Sequence, residues 1–183
     1  MAKKKFPDSY YKKAIKQLLA QEQILKETGN PEEILENSLK MLSELLQIDR
    51  GRIFLWDDYK QQLQIQYSYN LSELEKARGR YEICEGITGE VFDTGKSALI
   101  ADLQMVPNYK GKVTPRSVTL DSPISYIAVP ISFNDSTFGV LAIESANHHD
   151  GDLEANAMVL KLVAEMLGRI VDAYSLCDFA TAA

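Results

Sequence analysis

Two neighbouring apolar stretches constrain the fold of this chain more than any other feature. SYIAVPIS (125–132) and TFGVLAIES (137–145) are separated only by a short polar turn that contains Asn134 and Asp135. Both stretches are rich in β-branched residues, which favour strands, and so short a turn joins antiparallel partners. The sequence therefore predicts two adjacent antiparallel strands in the middle of a sheet.

Further strand-like and helical stretches surround this pair and indicate an α+β chain. Four more stretches have the composition of strands, the first two forming a predicted hairpin: RIFLWDD (52–58), LQIQYSYN (63–70), RYEIC (80–84) and SALIAD (97–102). Five stretches have apolar periodicity or capping residues typical of helices: 8–28, 31–47, 71–78, 85–95 and 152–177. The polar residues 103–122 are predicted to form a long loop with a helical turn, and loops of this length often act as functional lids.

The stretch GEVFDTGKS (89–97) resembles a phosphate-binding loop that ends in Gly-Lys-Ser. Such a loop has four residues between its two glycines, whereas five residues separate Gly89 from Gly95. Glu90 stands where the first glycine would be, and its carboxylate would repel a phosphate. The pattern instead predicts a helix that ends at Gly95, which suits a left-handed cap, followed by a strand. A nucleotide triphosphate site is therefore excluded here.

Charge and composition exclude other classes of protein. The 183 residues carry a net charge of -6, and 45% of them are hydrophobic, which is ordinary for one globular domain without a basic surface for nucleic acid. No apolar stretch reaches membrane-spanning length, and the N-terminus lacks the apolar core of a signal peptide. Two cysteines, Cys84 and Cys177, are too few for a disulfide framework. We expect a cytoplasmic protein that contacts neither nucleic acid nor membrane directly.

The last predicted helix has two apolar stripes, each spaced in alternating steps of four and three residues. One stripe includes Leu160 and Leu167, and the other includes Val163 and Ile170. A helix that covers one sheet needs a single stripe, so two buried surfaces are predicted. The second surface is either the N-terminal helices of the same chain or a partner subunit in a homodimer through the terminal helices. The sequence leaves both readings open.

Three short motifs, in this order, resemble those of a known family. EGITG (85–89) resembles the Gly-x-x-Gly helix start of GAF domains, and AVPI (128–131) and GVL (139–141) resemble their central strands. The resemblance implies a GAF/PAS-like fold. In this fold, terminal helices cover one face of a central antiparallel sheet of about six strands, and a ligand pocket lies under helices and loops on the other face. It also divides the chain into three parts: an N-terminal helical extension at 1–29, a GAF sensor domain at 30–177, and a tail or truncated linker at 178–183.

The same resemblance implies where a ligand would lie, between the loop after SALIAD and the central strands. Three cations flank this region: Arg80, Lys112 and Arg116. Arg116 either grips a carboxylate or phosphate bidentately or is a solvated loop cation. Glu144 is either a ligand contact or a strand-end charge in water. The implied ligand-binding residues are Ile100, Ala101, Asp102, Tyr109, Arg116, Tyr126 and Glu144.

Within the GAF family, the region from SYIAVPI to GVLAIES is similar to the N-terminal sensor domain of NifA-type transcription activators, which work with the sigma-54 polymerase. This similarity implies a non-catalytic regulatory domain in nitrogen regulation, whose output ATPase and DNA-binding domains are absent from this chain. No cofactor is assigned, and the candidate effectors are 2-oxoglutarate and a cyclic nucleotide. Asn147 matches the family's cyclic-nucleotide signature, but His148 replaces its lysine.

Two other functions stay open. Some GAF domains reduce free methionine-R-sulfoxide with a cysteine, but this chain has Thr88 where the resemblance places one such cysteine, and Cys84 lies just before it. A ligand-free dimerisation module is the other, and it predicts that a charge at Leu160 or Leu167 breaks the dimer without unfolding the chain. No metal site is predicted, because the adjacent His148 and His149 point in different directions and no further Cys or His completes a site.

Overall fold

Six antiparallel strands form one sheet in the computed structural model. The described residues are 12, 13, 15–17, 19, 20, 23, 30–107, 109, 111–113, 123–146 and 150–174. The strands are β1 (Arg50–Asp57), β2 (Gln62–Tyr69), β3 (Arg80–Tyr81), β4 (Ala98–Ile100), β5 (Ile124–Phe133) and β6 (Ser136–Ala146). Their order across the sheet is β3-β2-β1-β6-β5-β4, with every neighbouring pair antiparallel. The predicted α+β class with about six antiparallel strands is confirmed.

The two strands predicted from SYIAVPIS and TFGVLAIES lie inside the sheet. β5 and β6 pair from Ile124↔Ala146 to Phe133↔Ser136, and β1 and β4 flank them. The predicted hairpin of β1 and β2 is also present. RYEIC contributes only two residues to a strand, because positive φ angles at Cys84 and Gly86 turn the chain into the next helix.

From residue 30 onward, the described residues contain four helices and one 3₁₀ turn besides the strands. They are α1 (Pro31–Leu46), α2 (Glu73–Arg78), the 3₁₀ turn (Leu103–Met105), α3 (Gly86–Thr94) and α4 (Asp150–Tyr174). The side chain of Asn30 accepts a hydrogen bond from the Glu32 N–H at 3.1 Å and so caps α1 as predicted. α3 ends at Gly95 with φ 65°, which matches the predicted left-handed cap. The described positions between 12 and 23 are helical, and the rest of the predicted first helix lies outside the described residues.

The sheet separates two apolar cores, because side chains alternate between its faces. Ile53 and Leu55 of β1 point to the face covered by α1 and α4. Phe54 points to the opposite face, which α3 and the residues after β4 cover. No helix among the described residues is long and apolar enough to cross a membrane.

Both apolar stripes of α4 are buried within the chain. Leu160 and Leu167 have no exposed surface, and Val163 and Ile170 belong to the same core as α1. The α1 helix therefore provides the second buried surface, which is the first of the two readings. A charge at Leu160 or Leu167 would destroy this core, so these positions cannot separate loss of a dimer from loss of the fold.

Candidate functional site

A cavity of about 340 Å³ lies on the face of the sheet opposite to α1 and α4. This volume is within the usual range for small-molecule sites. Residues of β1, β3, β5, the start of α3 and the segment after the 3₁₀ turn form its wall: Arg52, Tyr81, Cys84, Glu85, Gly86, Ile87, Thr88, Glu90, Val106, Pro107, Tyr109, Gly111, Lys112 and Tyr126. We call the described residues 106, 107, 109 and 111–113 the roof segment.

An ion pair between Arg52 and Glu144 lies beneath the cavity. Nη2 of Arg52 donates a hydrogen bond to Oε1 of Glu144 at 2.6 Å, and the two side chains are only 4% and 3% exposed. β1 and β6 pair with Arg52 opposite Ala142, so Glu144 lies diagonally across on the same face. Burial opposes the charge of Arg52, but the charge and hydrogen bond of Glu144, together with Tyr126 and Tyr109, leave the pKa of Arg52 raised. The guanidinium of Arg52 is therefore charged at neutral pH.

Tyr126 connects this ion pair to the start of α3. It lies directly opposite Glu144 in the β5–β6 pair, and its hydroxyl is 3.2 Å from Oγ1 of the buried Thr88. Burial raises the pKa of Tyr126 against the effect of the nearby Arg52 guanidinium, so the phenol stays protonated. A ligand that touches Tyr126 would consequently contact a neutral hydroxyl backed by a fixed charge.

Gly89 lets α3 approach the cavity wall. A Cβ at this position would lie 2.4 Å from the carbonyl oxygen of Glu82 and 3.2 Å from the backbone of Cys84. Only glycine leaves room for the helix to pack against this turn. The Gly-x-x-Gly motif thus has a steric reason: Gly86 has a positive φ of 60°, and Gly89 provides space.

Two more tyrosines give the cavity aromatic walls. Tyr81 packs edge to face against the buried Phe54, with ring centroids 5.6 Å apart. Tyr109 of the roof segment packs against the same core. Burial raises the pKa of both Tyr81 and Tyr109, so both hydroxyls remain protonated at neutral pH. The wall offers ring faces and neutral hydroxyl groups.

A second ion pair joins the roof segment to the cavity wall. Nζ of Lys112 lies 2.5 Å from Oε1 of Glu85 and donates a hydrogen bond to the carbonyl oxygen of Arg80 at 2.9 Å. The same ammonium stands 5.0 Å from the centroid of the Tyr81 ring. Lys112 and Glu85 are 33% and 29% exposed, so this pair meets solvent at the edge of the cavity.

Three of the residues implied by the family resemblance lie on one row across the sheet. Ile100 is opposite Tyr126, which is opposite Glu144. Tyr126 lines the cavity, as does Tyr109 from the roof segment. Glu144 contacts the cavity through Arg52, and the half-buried Ile100 packs against the core on this face.

The other implied residues lie elsewhere. Ala101 is exposed, and the carboxylate of Asp102 accepts a hydrogen bond from the Gln104 N–H, which caps the 3₁₀ turn. Neither residue belongs to the cavity wall. Arg116 lies outside the described residues.

Sequence reasoning missed Arg52, Thr88 and Glu85 as parts of the site. One signal for Arg52 was present in the sequence. Arg52 lies two residues before Phe54 in a predicted strand, so its cation shares the inward face with that apolar ring. Its partner Glu144 is 92 residues away, so no sequence spacing joins the two.

Cys84 lines the cavity without the properties of a nucleophile. Its thiol donates a hydrogen bond to Oδ2 of Asp93 at 3.3 Å, and this carboxylate raises the pKa of the thiol. A reactive cysteine needs the opposite shift toward the thiolate. The described residues contain no group of three or more His, Cys, Asp and Glu side chains that could hold a metal ion. His148 and His149 lie outside them.

An antiparallel sheet with helices on one face and a polar-lined cavity on the other defines a GAF/PAS-like α+β domain. The GAF domain model matches residues 30–171, and the chain belongs to the GAF family.

Two regulators of nitrogen fixation are similar in sequence. The nitrogen fixation protein AnfA of Azotobacter vinelandii is 31% identical over 149 residues, which are 80% of this chain and 28% of AnfA. The Nif-specific regulatory protein of Herbaspirillum seropedicae is 30% identical over 141 residues, which are 76% of this chain and 26% of that protein. The chain thus spans little more than a quarter of these relatives.

Solved structures show the same fold. The nlh2 GAF domain of A. aeolicus, in an inactive state, superimposes with a TM-score of 0.71 at 22% identity, covering 90% of this chain and 99% of that domain. The free methionine-R-sulfoxide reductase of Neisseria meningitidis, in complex with its substrate, gives a TM-score of 0.65 at 21% identity, covering 85% and 86%. At these identities the likeness concerns the fold alone.

Proposed function

We propose that this chain is the regulatory, small-molecule-sensing domain of a larger NifA-like transcription activator. The observation that carries the proposal is the cavity of about 340 Å³ above the buried Arg52–Glu144 pair. Burying two charges opposes folding, because the desolvation cost can exceed the Coulombic gain. A ligand that contacts these groups gives a functional reason for keeping them. The similarity to AnfA and to a Nif-specific regulatory protein supports the regulatory role.

The effector would act by shifting a conformational equilibrium, and only by its difference in affinity for the two states. Tyr126 faces the cavity, while its neighbour Ile127 belongs to the core under α4. α4 also touches β5 through Gly168, where an added Cβ would lie 2.4 Å from the carbonyl oxygen of Ser132. Because the two elements are in such close contact, a movement of β5 requires a movement of α4. We expect α4 to transmit this movement to the output domains.

We propose 2-oxoglutarate and a cyclic nucleotide as the effectors to test first, in a cytoplasmic protein. The carboxylates of 2-oxoglutarate would compete with Glu144 for Arg52 and with Glu85 for Lys112. A cyclic nucleotide would place its base against the rings of Tyr81 or Tyr109.

Isothermal titration calorimetry with 2-oxoglutarate, cAMP and cGMP tests the proposal, alongside mass spectrometry of small molecules released from the purified protein. Val106→Trp adds an indole to the half-buried roof of the cavity and is expected to abolish binding. Met105→Trp is the matched control, because Met105 is adjacent, 79% exposed and outside the wall. Absence of heat with every effector and of any released molecule would contradict a sensing role.

The alternative of a reductase is less favoured, since the one described thiol at the cavity, Cys84, is held protonated by Asp93. A role as a dimerisation module is favoured by exposed apolar side chains on the helices, namely Met158 and Leu162 of α4, one turn apart and 59% and 47% exposed. We propose a homodimer through this surface. Light scattering of Leu162→Glu tests this dimer. A folded monomer is expected, because this exposed position can carry a charge without loss of fold.

A further inference from the structure

The ammonium group of Lys112 sits in a pocket built from three kinds of partner. A carboxylate oxygen of Glu85 lies at 2.5 Å, the carbonyl oxygen of Arg80 at 2.9 Å, and the face of the Tyr81 ring at 5.0 Å from its centroid. A primary ammonium has three N–H donors and a compact charge, and aromatic faces attract such a charge at this range. The three partners together suit a primary ammonium in particular.

The residues that surround the ammonium group, Glu85 and Tyr81, are held in place by their own contacts. Oε2 of Glu85 accepts a hydrogen bond from the Glu82 N–H at 3.1 Å, while its Oε1 faces Lys112. Tyr81 belongs to β3 and packs against the buried Phe54. Lys112 itself is held less firmly, because it lies outside every helix and strand and its side chain is one-third exposed. A lysine side chain also loses much rotamer freedom when it is fixed. The pocket is thus preorganised, whereas its occupant is exchangeable.

At the contact between Lys112 and Glu85, the nearby charges favour a cation over an anion as the group that exchanges with Lys112. Among the described residues, each wall cation already faces a carboxylate: Arg52 faces Glu144, and Lys112 faces Glu85. Glu90 adds a further negative charge to the wall. A cationic group that replaces Lys112 leaves Glu85 paired, whereas an anion would have to separate an existing pair.

We propose that Glu85, Tyr81 and the Arg80 carbonyl form an ammonium-binding subsite of the effector cavity, occupied in this structure by Lys112 of the roof segment. An effector with a primary amine displaces Lys112 and releases the roof segment. The inference rests on the proposed sensing function and adds primary amines, as a further chemical class of effector, to the two effectors proposed above. Lys112 then acts as an internal competitor that holds the roof closed in the absence of effector.

Chemical rescue of Lys112→Ala tests the subsite without knowledge of the effector. The probe is n-butylamine, which corresponds to a whole lysine side chain and is one carbon longer than the group removed, compared with n-butanol and sodium butyrate at equal ionic strength. Thermal unfolding is expected to show a lower Tm for Lys112→Ala and a recovery of most of this loss with n-butylamine alone. The matched control is Lys60→Ala, because Lys60 is also ion-paired, with Asp57, but does not line the cavity.

The affinity of Lys112→Ala for n-butylamine, measured by NMR titration, is expected to exceed that of the wild type at least about tenfold. Adding either Glu85→Gln or Tyr81→Leu to Lys112→Ala is expected to remove this gain in affinity. The two substitutions are tested separately, so that the prediction can still be checked if one of them prevents folding. Equal binding by wild type and Lys112→Ala, or equal rescue by n-butanol or butyrate, would overturn the subsite. Such a failure leaves the sensing function intact where 2-oxoglutarate or a cyclic nucleotide still titrates the wild type, and loss of both removes the sensing function itself.

Discussion

Removing one partner of the Arg52–Glu144 ion pair is expected to destabilise the protein far more than removing both. The two charges are 2.6 Å apart, and their side chains are only 4% and 3% exposed. Tyr126 and the apolar core on the cavity face surround them. Because the two side chains have so little exposed surface, deletion of one partner leaves the remaining charge largely buried.

The expected magnitudes follow from this burial. Glu144→Leu leaves the Arg52 guanidinium without its carboxylate, which costs about 3–5 kcal/mol of unfolding free energy. The double variant Arg52→Met/Glu144→Leu replaces both charges by apolar groups, and we expect it to lie within about 1 kcal/mol of the wild type. The more accessible pair of Arg50 and Glu75, at 2.8 Å and with side chains 31% and 20% exposed, gives the comparison, because Arg50→Met is expected to cost about 0–1 kcal/mol.

Urea unfolding followed by far-UV circular dichroism measures these free energies, with unchanged m values as the test for two-state behaviour. Loss of less than about 1 kcal/mol in Glu144→Leu, or a double variant no more stable than Glu144→Leu, would refute the reasoning. The folded double variant is also expected to lose effector binding, because its cavity has no fixed charge beneath it.

Three further predictions concern single residues. Burial opposes the charge of Asp57, but hydrogen bonds from Lys60 leave the pKa of Asp57 lowered. The stability that the Asp57 carboxylate adds is therefore present above the unfolded pKa of about 3.9 and is lost as pH falls through the folded pKa. Asp57→Asn is expected to cost about 1–3 kcal/mol in urea unfolding near neutral pH, and the difference from the wild type should shrink below about pH 4. Gly89→Ala is expected to lower the free energy of unfolding by about 1–3 kcal/mol, since its Cβ would meet a backbone oxygen at 2.4 Å; an unchanged stability would contradict the close approach. Cys84 is expected to react slowly with iodoacetamide and faster in Asp93→Asn, as read by peptide mass spectrometry, because the Asp93 carboxylate raises the pKa of the thiol.

Local patterns sufficed for most of the fold. The β-branched runs of β5 and β6 fixed a central hairpin, and Asn30 and Gly95 marked the ends of helices through capping rules that operate over a few residues. The two stripes of α4 correctly indicated two buried surfaces. Their partners stayed open, because an apolar face does not identify what covers it.

The site was less accessible to sequence reasoning. Tyr109 and Tyr126 followed from the family resemblance, but Arg52 was missed because its partner is diagonal to it on another strand. The contact of Lys112 with Glu85 likewise depends on how the roof segment crosses the start of α3. Such pairs arise from the tertiary fold, and no spacing along the chain encodes them.

A crystal structure of the protein, purified without added ligand and then soaked with each effector and with n-butylamine, tests the central claim most directly. We predict electron density for a small molecule in the cavity that touches Tyr126 and Tyr109 above Arg52 and Glu144. A cavity filled by the chain's own side chains in every soak, with the roof segment packed onto Thr88, would contradict a ligand-sensing role.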